Sequence, residues 1–334
     1  MPSSFKNQTI TITERDKMKK ALLAILSAVL LITVTQPAQA EDQKVLAIID
    51  SAINSAKFNS IIHEVCFTTV KSTNPKENMS CPNGELFMEG KGAASAPWPT
   101  NINSGTYHGD AMVKAALVTN PNIKIVFIRV HNVTSLGNSG QPENGSTILS
   151  ALDWVNKNAS KYSIDAVSIS QSGVRTEMIN RVKVVSIHPG CTTPSILNPF
   201  VNQVSQLNAT NIPTFIATGN DERNDFVGFP ACVPGVIGVG ALATENLLEM
   251  STNTGTGLDL VALTKVRVTK YDGSATDIYG TSTATVVASS SYVKNNTYKT
   301  FQEYLNSLKK VSLSQMIRVN NKLQSANRGT YSRN

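Results

Sequence analysis

The sequence predicts a three-layer α/β protein, in which a mostly parallel central sheet has helices on both faces. Short runs rich in β-branched residues recur along the chain with few polar interruptions, which is typical of strands buried on both faces. These runs are residues 45–49, 123–128, 166–169, 213–216 and 236–239. Helical patterns alternate with them, and such alternation favours a layered fold with ligand sites at the carboxyl edge of the strands. The 41% hydrophobic and 16% charged content is ordinary for a folded soluble protein.

Two apolar stripes predict individual helices. Ser146 is a candidate N-cap, and the apolar residues that follow it at helical spacing are Ile148, Leu149, Leu152 and Val155. The second stripe, near the C-terminus, consists of Phe301, Tyr304, Leu305 and Leu308. It is typical of an amphipathic helix packed on the outside of a domain. We therefore expect residues 291–334 to form a basic, helical C-terminal segment.

The N-terminal residues have the three parts of a secretory signal peptide. Lysines precede the apolar run 21–34, and the small-residue sequence Ala38-Gln39-Ala40 follows it. The run is too short to favour a membrane span, and a buried N-terminal helix is the alternative. We expect residues 1–40 to be a signal peptide with an N-terminal extension. Residues 41–334 would then form a single domain, secreted or periplasmic, without a stable membrane anchor.

The basic charge of the chain is concentrated at its C-terminus. The formal net charge is +7, and residues 291–334 hold eight Lys/Arg against one acidic residue, Glu303. These cations are scattered and have no interleaved aromatic motif, so a solvated face is a better interpretation than a nucleic-acid site. We expect no nucleic-acid partner and a monomeric protein.

All four cysteines lie after the predicted signal peptide, in the part of the chain that would enter an oxidising compartment. Three pairings are possible, and proximity in sequence favours Cys66 with Cys81 and Cys191 with Cys232. Buried free thiols are the alternative.

Residues 66–105 are polar and rich in Asn, Pro, Gly and Ser, which predicts a long surface insertion between a strand and a helix. A disulfide between Cys66 and Cys81 would stabilise this insertion by about 3 kcal/mol in the chain-entropy model. A metal site that combined these cysteines with His63 would lack a fourth ligand at a recognisable spacing. We therefore expect no metal site here.

Three polar residues stand where α/β proteins place their sites. Asp50 directly follows the first predicted strand, so its carboxylate would emerge at the carboxyl edge of the sheet. His108 precedes a run of small apolar residues suited to a helix, and Ser282 follows Gly280 at the start of another. A serine in the first turn of a helix can supply a nucleophilic hydroxyl and its own N–H as a donor. Each residue alone also fits a structural role, as a turn former, a buried histidine or an N-cap.

Taken together and in order, these segments resemble the subtilisin-like serine proteases, the subtilase family. The order Asp, His, Ser is that of subtilisin. The motifs that carry the resemblance are Ile49-Asp50-Ser51, His108-Gly109, Gly280-Thr281-Ser282-x-Ala284-Thr285, residues 168–173, Ala217-Thr218-Gly219-Asn220 and residues 229–241. The serine motif is the most specific of them. The resemblance covers most of the chain after residue 40 and implies a subtilisin-like fold.

The resemblance also implies a function and a set of site residues. The protein would be a serine endopeptidase, with Asp50, His108 and Ser282 as its triad, an acyl-enzyme intermediate and Asn220 in the oxyanion hole. The residues that would bind the polypeptide substrate are Ser170, Gln171, Ser172 and Gly173 on one side, and Ala217, Thr218 and Gly219 on the other. No cofactor would be required. Structural calcium is common in the family, but no dense carboxylate loop identifies a site in this sequence.

Several residues depart from the family pattern. Asp110 and Ala111 follow the His-Gly pair where Thr-His is usual, and Val286 stands where proline usually follows the serine motif. Because a nearby negative charge favours the imidazolium form, we expect Asp110 to raise the pKa of His108. These departures leave an alternative open: a catalytically silent protein of the same fold that binds peptides or partners in its groove.

Overall fold

A computed structural model of the protein describes residues 44–72, 80–95, 108–133, 139–140, 145–244, 247–269, 274–295, 300–312, 317–318 and 330–333. All of these residues belong to one compact unit, Gln43–Asn334. The predicted signal peptide, residues 1–40, lies outside the described residues. So do residues 101–107, which precede the His-Gly pair.

The strands of the described residues are numbered in chain order. They are β1 (Val45–Asp50), β2 (Ile61–Phe67), β3 (Phe87–Glu89), β4 (Lys124–Arg129), β5 (Asn132–Val133), β6 (Ser139–Gly140), β7 (Ile164–Ile169), β8 (Arg175–Ile179), β9 (Val182–Ser186), β10 (Thr214–Ala217), β11 (Ile237–Thr244), β12 (Leu247–Leu248), β13 (Leu260–Leu263), β14 (Val266–Thr269), β15 (Ala275–Ile278), β16 (Lys309–Ser312), β17 (Ile317–Arg318) and β18 (Thr330–Arg333).

The central sheet contains 12 of the strands in the described residues, and the order along its main path is β16-β18-β13-β11-β10-β7-β1-β4-β2-β3. The strands from β13 to β2 in this order are all parallel. Strand β1 is central, and its last residue, Asp50, is in register with Arg129 of β4. The carboxyl ends of β1, β4, β7 and β10 therefore meet at one edge of the sheet, where the expected ligand site would form.

Helices cover both faces of the sheet. The α-helices of the described residues are α1 (His108–Thr119), α2 (Ser146–Tyr162), α3 (Pro194–Ala209), α4 (Thr281–Lys294) and α5 (Phe301–Ser307), with short 3₁₀ turns at Ser55–Lys57 and Pro189–Cys191. None of these helices is long and apolar enough to cross a bilayer.

Alternate residues of β1 enter two separate cores. Val45, Ala47 and Ile49 pack with residues of α2 and α3 on one face of the sheet. Leu46 and Ile48 pack with residues of α1 and α4 on the other face. Because both faces are covered, the whole strand is buried, which explains its continuous apolar sequence. The predicted three-layer α/β fold with a mostly parallel sheet is confirmed, as are all five predicted strands.

The helix predicted after Ser146 is present, but its N-cap is Gly145, with a left-handed φ of 63° and no side-chain capping bond. Ser146 is the first helical residue. A Cβ at position 145 would lie 2.7 Å from the ring of Phe229, so the close approach of this ring requires glycine there.

The C-terminal segment 291–334 differs from its prediction. It is helical at the end of α4 and in α5, but the described residues beyond Ser307 form the strands β16, β17 and β18. Strand β18 pairs with β13, and β16 pairs with β18. The physical reason is that β13 would otherwise be an edge strand with unpaired N–H and C=O groups. The residues of β18 form hydrogen bonds with these groups.

The insertion predicted at residues 66–105 is also more ordered than expected. Cys66 belongs to β2, a strand that the sequence did not indicate, and β3 pairs with it in antiparallel fashion. The buried Glu64 accepts hydrogen bonds from the N–H groups of Gly92 (2.8 Å) and Ala94 (3.1 Å). The described part of the insertion is therefore attached to the sheet, because the carboxylate of a residue in β2 accepts hydrogen bonds from two backbone N–H groups of the insertion.

Candidate active site

Asp50 and His108 are joined by a short hydrogen bond. Asp50 ends β1 and is completely buried, and His108 is the first residue of α1. The imidazole Nδ1 lies 2.7 Å from Oδ1 of Asp50, which also accepts the backbone N–H of Ser51. The carboxylate is thus held in place, and it orients the ring through Nδ1. The second ring nitrogen, Nε2, takes no part in this bond.

The pKa of His108 is raised above its ordinary value of 6.5. Burial of the ring lowers this pKa, but the charge of Asp50 and its hydrogen bond to the ring outweigh the effect of burial. Asp110 is not among the causes, so the expected direction of the shift was right and its expected cause was wrong.

The glycine after His108 is required by packing. A Cβ at Gly109 would lie 2.8 Å from the carbonyl oxygen of Ala52 and 2.9 Å from the ring of Phe127. The Gly109 N–H also donates to Oγ of Ser51 at 3.1 Å. The first turn of α1 therefore lies directly against the segment that follows β1, and this contact brings His108 next to Asp50.

Ser282 is the second residue of α4. The N-cap of this helix is Gly280, which has a left-handed φ of 98°. The Oγ of Ser282 donates to the carbonyl oxygen of Ser170 at 3.1 Å, and Oγ of Ser170 donates to the carbonyl oxygen of Ser282 at 3.1 Å. In the described residues no hydrogen bond joins Ser282 to His108. The two side chains nevertheless line the same cavity.

This cavity has a volume of about 360 Å³ and opens at the carboxyl edge of the sheet. The predicted substrate-binding or oxyanion residues that line it are Ser170, Gln171, Ser172, Ala217, Gly219 and Asn220. Four lining residues were not predicted as binding residues, namely Ser51, His131, Asp221 and Thr281. Their positions directly after strands or beside the predicted motifs are the sequence signal that could have found them.

Two predicted substrate-binding residues do not line the cavity. Gly173 donates to and accepts from the backbone of Phe229, both at 2.8 Å, so its N–H and C=O are already paired. Thr218 is completely buried, and its carbonyl oxygen accepts from Gly228 and from Asn253. The bonds of these two residues stabilise the walls of the cavity.

Asn220 is oriented by Thr281. Its Oδ1 accepts the backbone N–H of Thr281 at 3.0 Å and the Thr281 hydroxyl at 3.1 Å. With the carbonyl end of the amide held in this way, Nδ2 is the end that can donate elsewhere.

Comparison with known protein families identifies the family of this chain. The model of the Subtilase family matches residues 42–310, which is most of the chain. The chain belongs to the subtilase family of serine proteases. No curated protein sequence matches it significantly.

Solved structures of subtilases share the fold. A protease from Pseudoalteromonas arctica PAMC 21717 has a TM-score of 0.53 at 17% identity, covering 75% of this chain and 76% of its own. A lanthipeptide protease has a TM-score of 0.52 at 14% identity, with coverages of 75% and 71%. A cold-adapted subtilisin-like serine proteinase has a TM-score of 0.51 at 19% identity, with coverages of 87% and 88%. At these sequence identities, the structural similarity shows that the fold is shared and nothing more.

Both predicted disulfides of this subtilase are formed. Cys66 is bonded to Cys81, and Cys191 is bonded to Cys232. A metal site with the first pair is therefore ruled out, and no cluster of three metal-binding side chains occurs elsewhere in the described residues. The second disulfide attaches the N-terminal end of α3 to the segment just after Phe229, near the cavity wall.

The unusual residue Asp110 is hydrogen-bonded to the segment that follows β1. Its Oδ1 accepts the N–H of Asn54 at 2.8 Å, and burial raises its pKa from 3.8 to about 6 despite the nearby charges of Lys114 and Lys57. Val286, another departure, is completely buried in the core formed with α1, and the third, Ala111, packs against the same core.

Proposed function

We propose that this subtilase is a serine endopeptidase in which Ser282 is the nucleophile, His108 the general base and acid, and Asp50 the residue that orients His108. The observation that carries the proposal is the 2.7 Å hydrogen bond between Asp50 and His108 Nδ1, beside a cavity that His108 shares with Ser282. Asp50 would hold the proton on Nδ1 and leave Nε2 unprotonated, as a general base requires.

The reaction would start with a rotation of the Ser282 side chain. In the resting structure its hydroxyl donates to Ser170, so Oγ must turn about the Cα–Cβ bond to donate to His108 Nε2. Oγ then bonds to the carbonyl carbon of the substrate while its proton moves to Nε2. Collapse of the tetrahedral intermediate breaks the C–N bond, and His108 protonates the leaving amine. Water, deprotonated by the same nitrogen, hydrolyses the resulting acyl-enzyme.

The oxyanion of the tetrahedral intermediate would accept two hydrogen bonds. One donor is Nδ2 of Asn220, whose orientation is determined by the two bonds from Thr281. The other is the backbone N–H of Ser282, since N–H groups in the first turn of α4 have no acceptor within the helix. Donors that are already oriented stabilise the developing charge without reorganisation.

The polypeptide substrate would lie along residues 170–172, with Ala217 and Gly219 on the other wall. Because Gly173 is paired with Phe229, the part of this segment that can bond to a substrate backbone ends before it. We propose no cofactor, and we assign no calcium site.

We also propose that the protein acts as a monomer outside the cytoplasm, in the periplasm or after secretion. The pattern of residues 1–40 supports export, and the two disulfides are of the kind that persists in an oxidising compartment.

Covalent labelling by a fluorophosphonate tests the nucleophile directly. We expect the purified chain to be labelled and the Ser282→Ala variant not to be. Ser291→Ala is the matched control, since Ser291 lies on the same helix but not at the cavity, and it should be labelled like the parent. A folded parent protein that resists labelling would favour the alternative, a groove that binds peptides without cleaving them.

A further inference from the structure

His131 is a second histidine in the cavity, and the mechanism does not use it. It lies two residues after the end of β4, is only 8% exposed, and lines the cavity together with His108. Its backbone carbonyl accepts a hydrogen bond from Nε of the buried Arg129 at 3.1 Å, which keeps the start of this segment against the sheet. The imidazole is therefore a fixed part of the cavity wall.

Apart from the side chain of Gln171, neither ring nitrogen of His131 has a hydrogen-bond partner among the described residues, although both are buried. A buried donor or acceptor without a partner is destabilising, so such groups in folded proteins generally have a use. The side chain of Gln171 is hydrogen-bonded to the ring, which raises the pKa of His131, and it also lines the cavity. The two side chains thus form one polar corner of an otherwise small-residue wall.

The ring of His131 is neutral around pH 7. Its pKa is lowered to about 4, chiefly by burial and also by the charges of His108 and Arg129, while Asp50 and the hydrogen bond with Gln171 act in the opposite direction. A neutral imidazole offers one donor and one acceptor, and the amide of Gln171 offers both as well. The buried charges of Asp50 and Arg129 act on this ring with opposite signs, so they favour neither an acidic nor a basic substrate side chain here.

We propose that His131 and Gln171 form a subsite that binds a neutral, hydrogen-bonding side chain of the polypeptide, best matched by the carboxamide of glutamine or asparagine. Such a group can donate to one partner and accept from the other, and it satisfies the ring nitrogen that Gln171 leaves unpaired. A subsite of this kind discriminates strongly against apolar side chains, because they leave its polar groups unpaired. The choice of a peptide as the ligand rests on the proposed function.

Binding to the full-length Ser282→Ala protein tests the subsite without any need for cleavage. Fluorescent peptides that differ only by glutamine or methionine, placed at each position in turn, would be titrated and followed by fluorescence anisotropy. We expect one position at which the glutamine peptide binds about tenfold more tightly than the methionine peptide. His131→Leu should reduce this ratio to about twofold or less, by removing both ring nitrogens.

Two further variants complete the experiment. Gln171→Met removes the other half of the subsite at a half-exposed position, and it should also reduce the ratio. His63→Leu is the matched control, because His63 lies in β2 and not at the cavity, and it should leave the ratio unchanged. The subsite is refuted if no position prefers glutamine, or if the preference survives in both His131→Leu and Gln171→Met. Failure of the proposed hydrolysis would appear separately, as an unlabelled parent protein.

Discussion

Asp110 makes the stability of this subtilase depend on pH in an unusual direction. Its carboxyl group is buried in the first turn of α1, where Oδ1 accepts the N–H of Asn54 and Oδ2 has no partner among the described residues. Replacing Asp110 by asparagine keeps an oxygen for the Asn54 bond and removes the ionisable group. The Asp110→Asn variant therefore isolates the free energy of burying the charge.

The size of the effect follows from the pKa of Asp110, which burial raises from 3.8 to about 6. The folded state binds the proton more tightly than the unfolded state, so stability falls as the pH rises from about 4 to about 6. Below this window the two states are equally protonated and the cost is absent. Above it the full cost applies, and about two pKa units at about 1.4 kcal/mol each correspond to about 3 kcal/mol.

Urea unfolding at about pH 4 and about pH 8 measures this cost, in the Ser282→Ala background to prevent self-digestion. We expect the stability of Asp110→Asn relative to its parent to increase by about 3 kcal/mol between the two pH values. Asp153→Asn is the control, since the Asp153 carboxylate is 42% exposed and pairs only with Lys157 and Gln203 on the surface. If Asp110→Asn shows no more pH dependence than this control, the carboxyl group does not carry the buried charge described above.

Three other outcomes are expected. The pH profile of kcat/KM should rise with pH with a midpoint above 6.5, because the raised pKa of His108 keeps the imidazole protonated below it; a midpoint below 6.5 would contradict this assignment. Gly109→Ala should lower the free energy of unfolding by about 1–3 kcal/mol in urea titrations, since its Cβ would overlap the carbonyl of Ala52. Thr281→Val should lower kcat by up to about tenfold with little change in KM, by removing one of the two bonds that orient Asn220. An unchanged kcat would mean that the remaining backbone bond is sufficient.

The sequence predicted the position of a site residue best where the strand or helix that holds the residue is adjacent to it in the chain. Asp50 directly follows an apolar strand, and His108 and Ser282 begin helices, so each position could be inferred from its neighbours. The parallel sheet then brings strand ends to one edge, which is why the three residues could be expected near one another.

The sequence was less informative where long-range contacts decide the structure. Strand β2 contains His63 and Glu64, which interrupt its apolar pattern, and only the folded protein shows that Glu64 binds the N–H groups of Gly92 and Ala94. Strand β18 pairs with β13, where Leu260 lies opposite Ser332, so the partners are far apart in the chain and the local pattern could not reveal the pairing.

Polar residues in the interior were also missed. Arg129 occupies a strand position next to Asp50 and is completely buried, with Nη1 donating to the carbonyl of Ser95 at 3.2 Å. His131 belongs to none of the sequence motifs named above, although its position after a parallel strand is the one that α/β sites use. Strand order, which places β4 beside β1, was the missing information.

The covered edge of the sheet has a practical consequence for shortened versions of the protein. A truncation at Leu308 would remove β16, β17 and β18 and would leave β13 with an open row of backbone donors and acceptors. Such a row is a template on which another molecule can add a strand. The C-terminal strands move the edge of the sheet to β16, which contains Lys309 and Lys310, and charged residues on an edge strand disfavour strand addition. We expect light scattering to detect self-association of the truncated protein before any loss of catalysis.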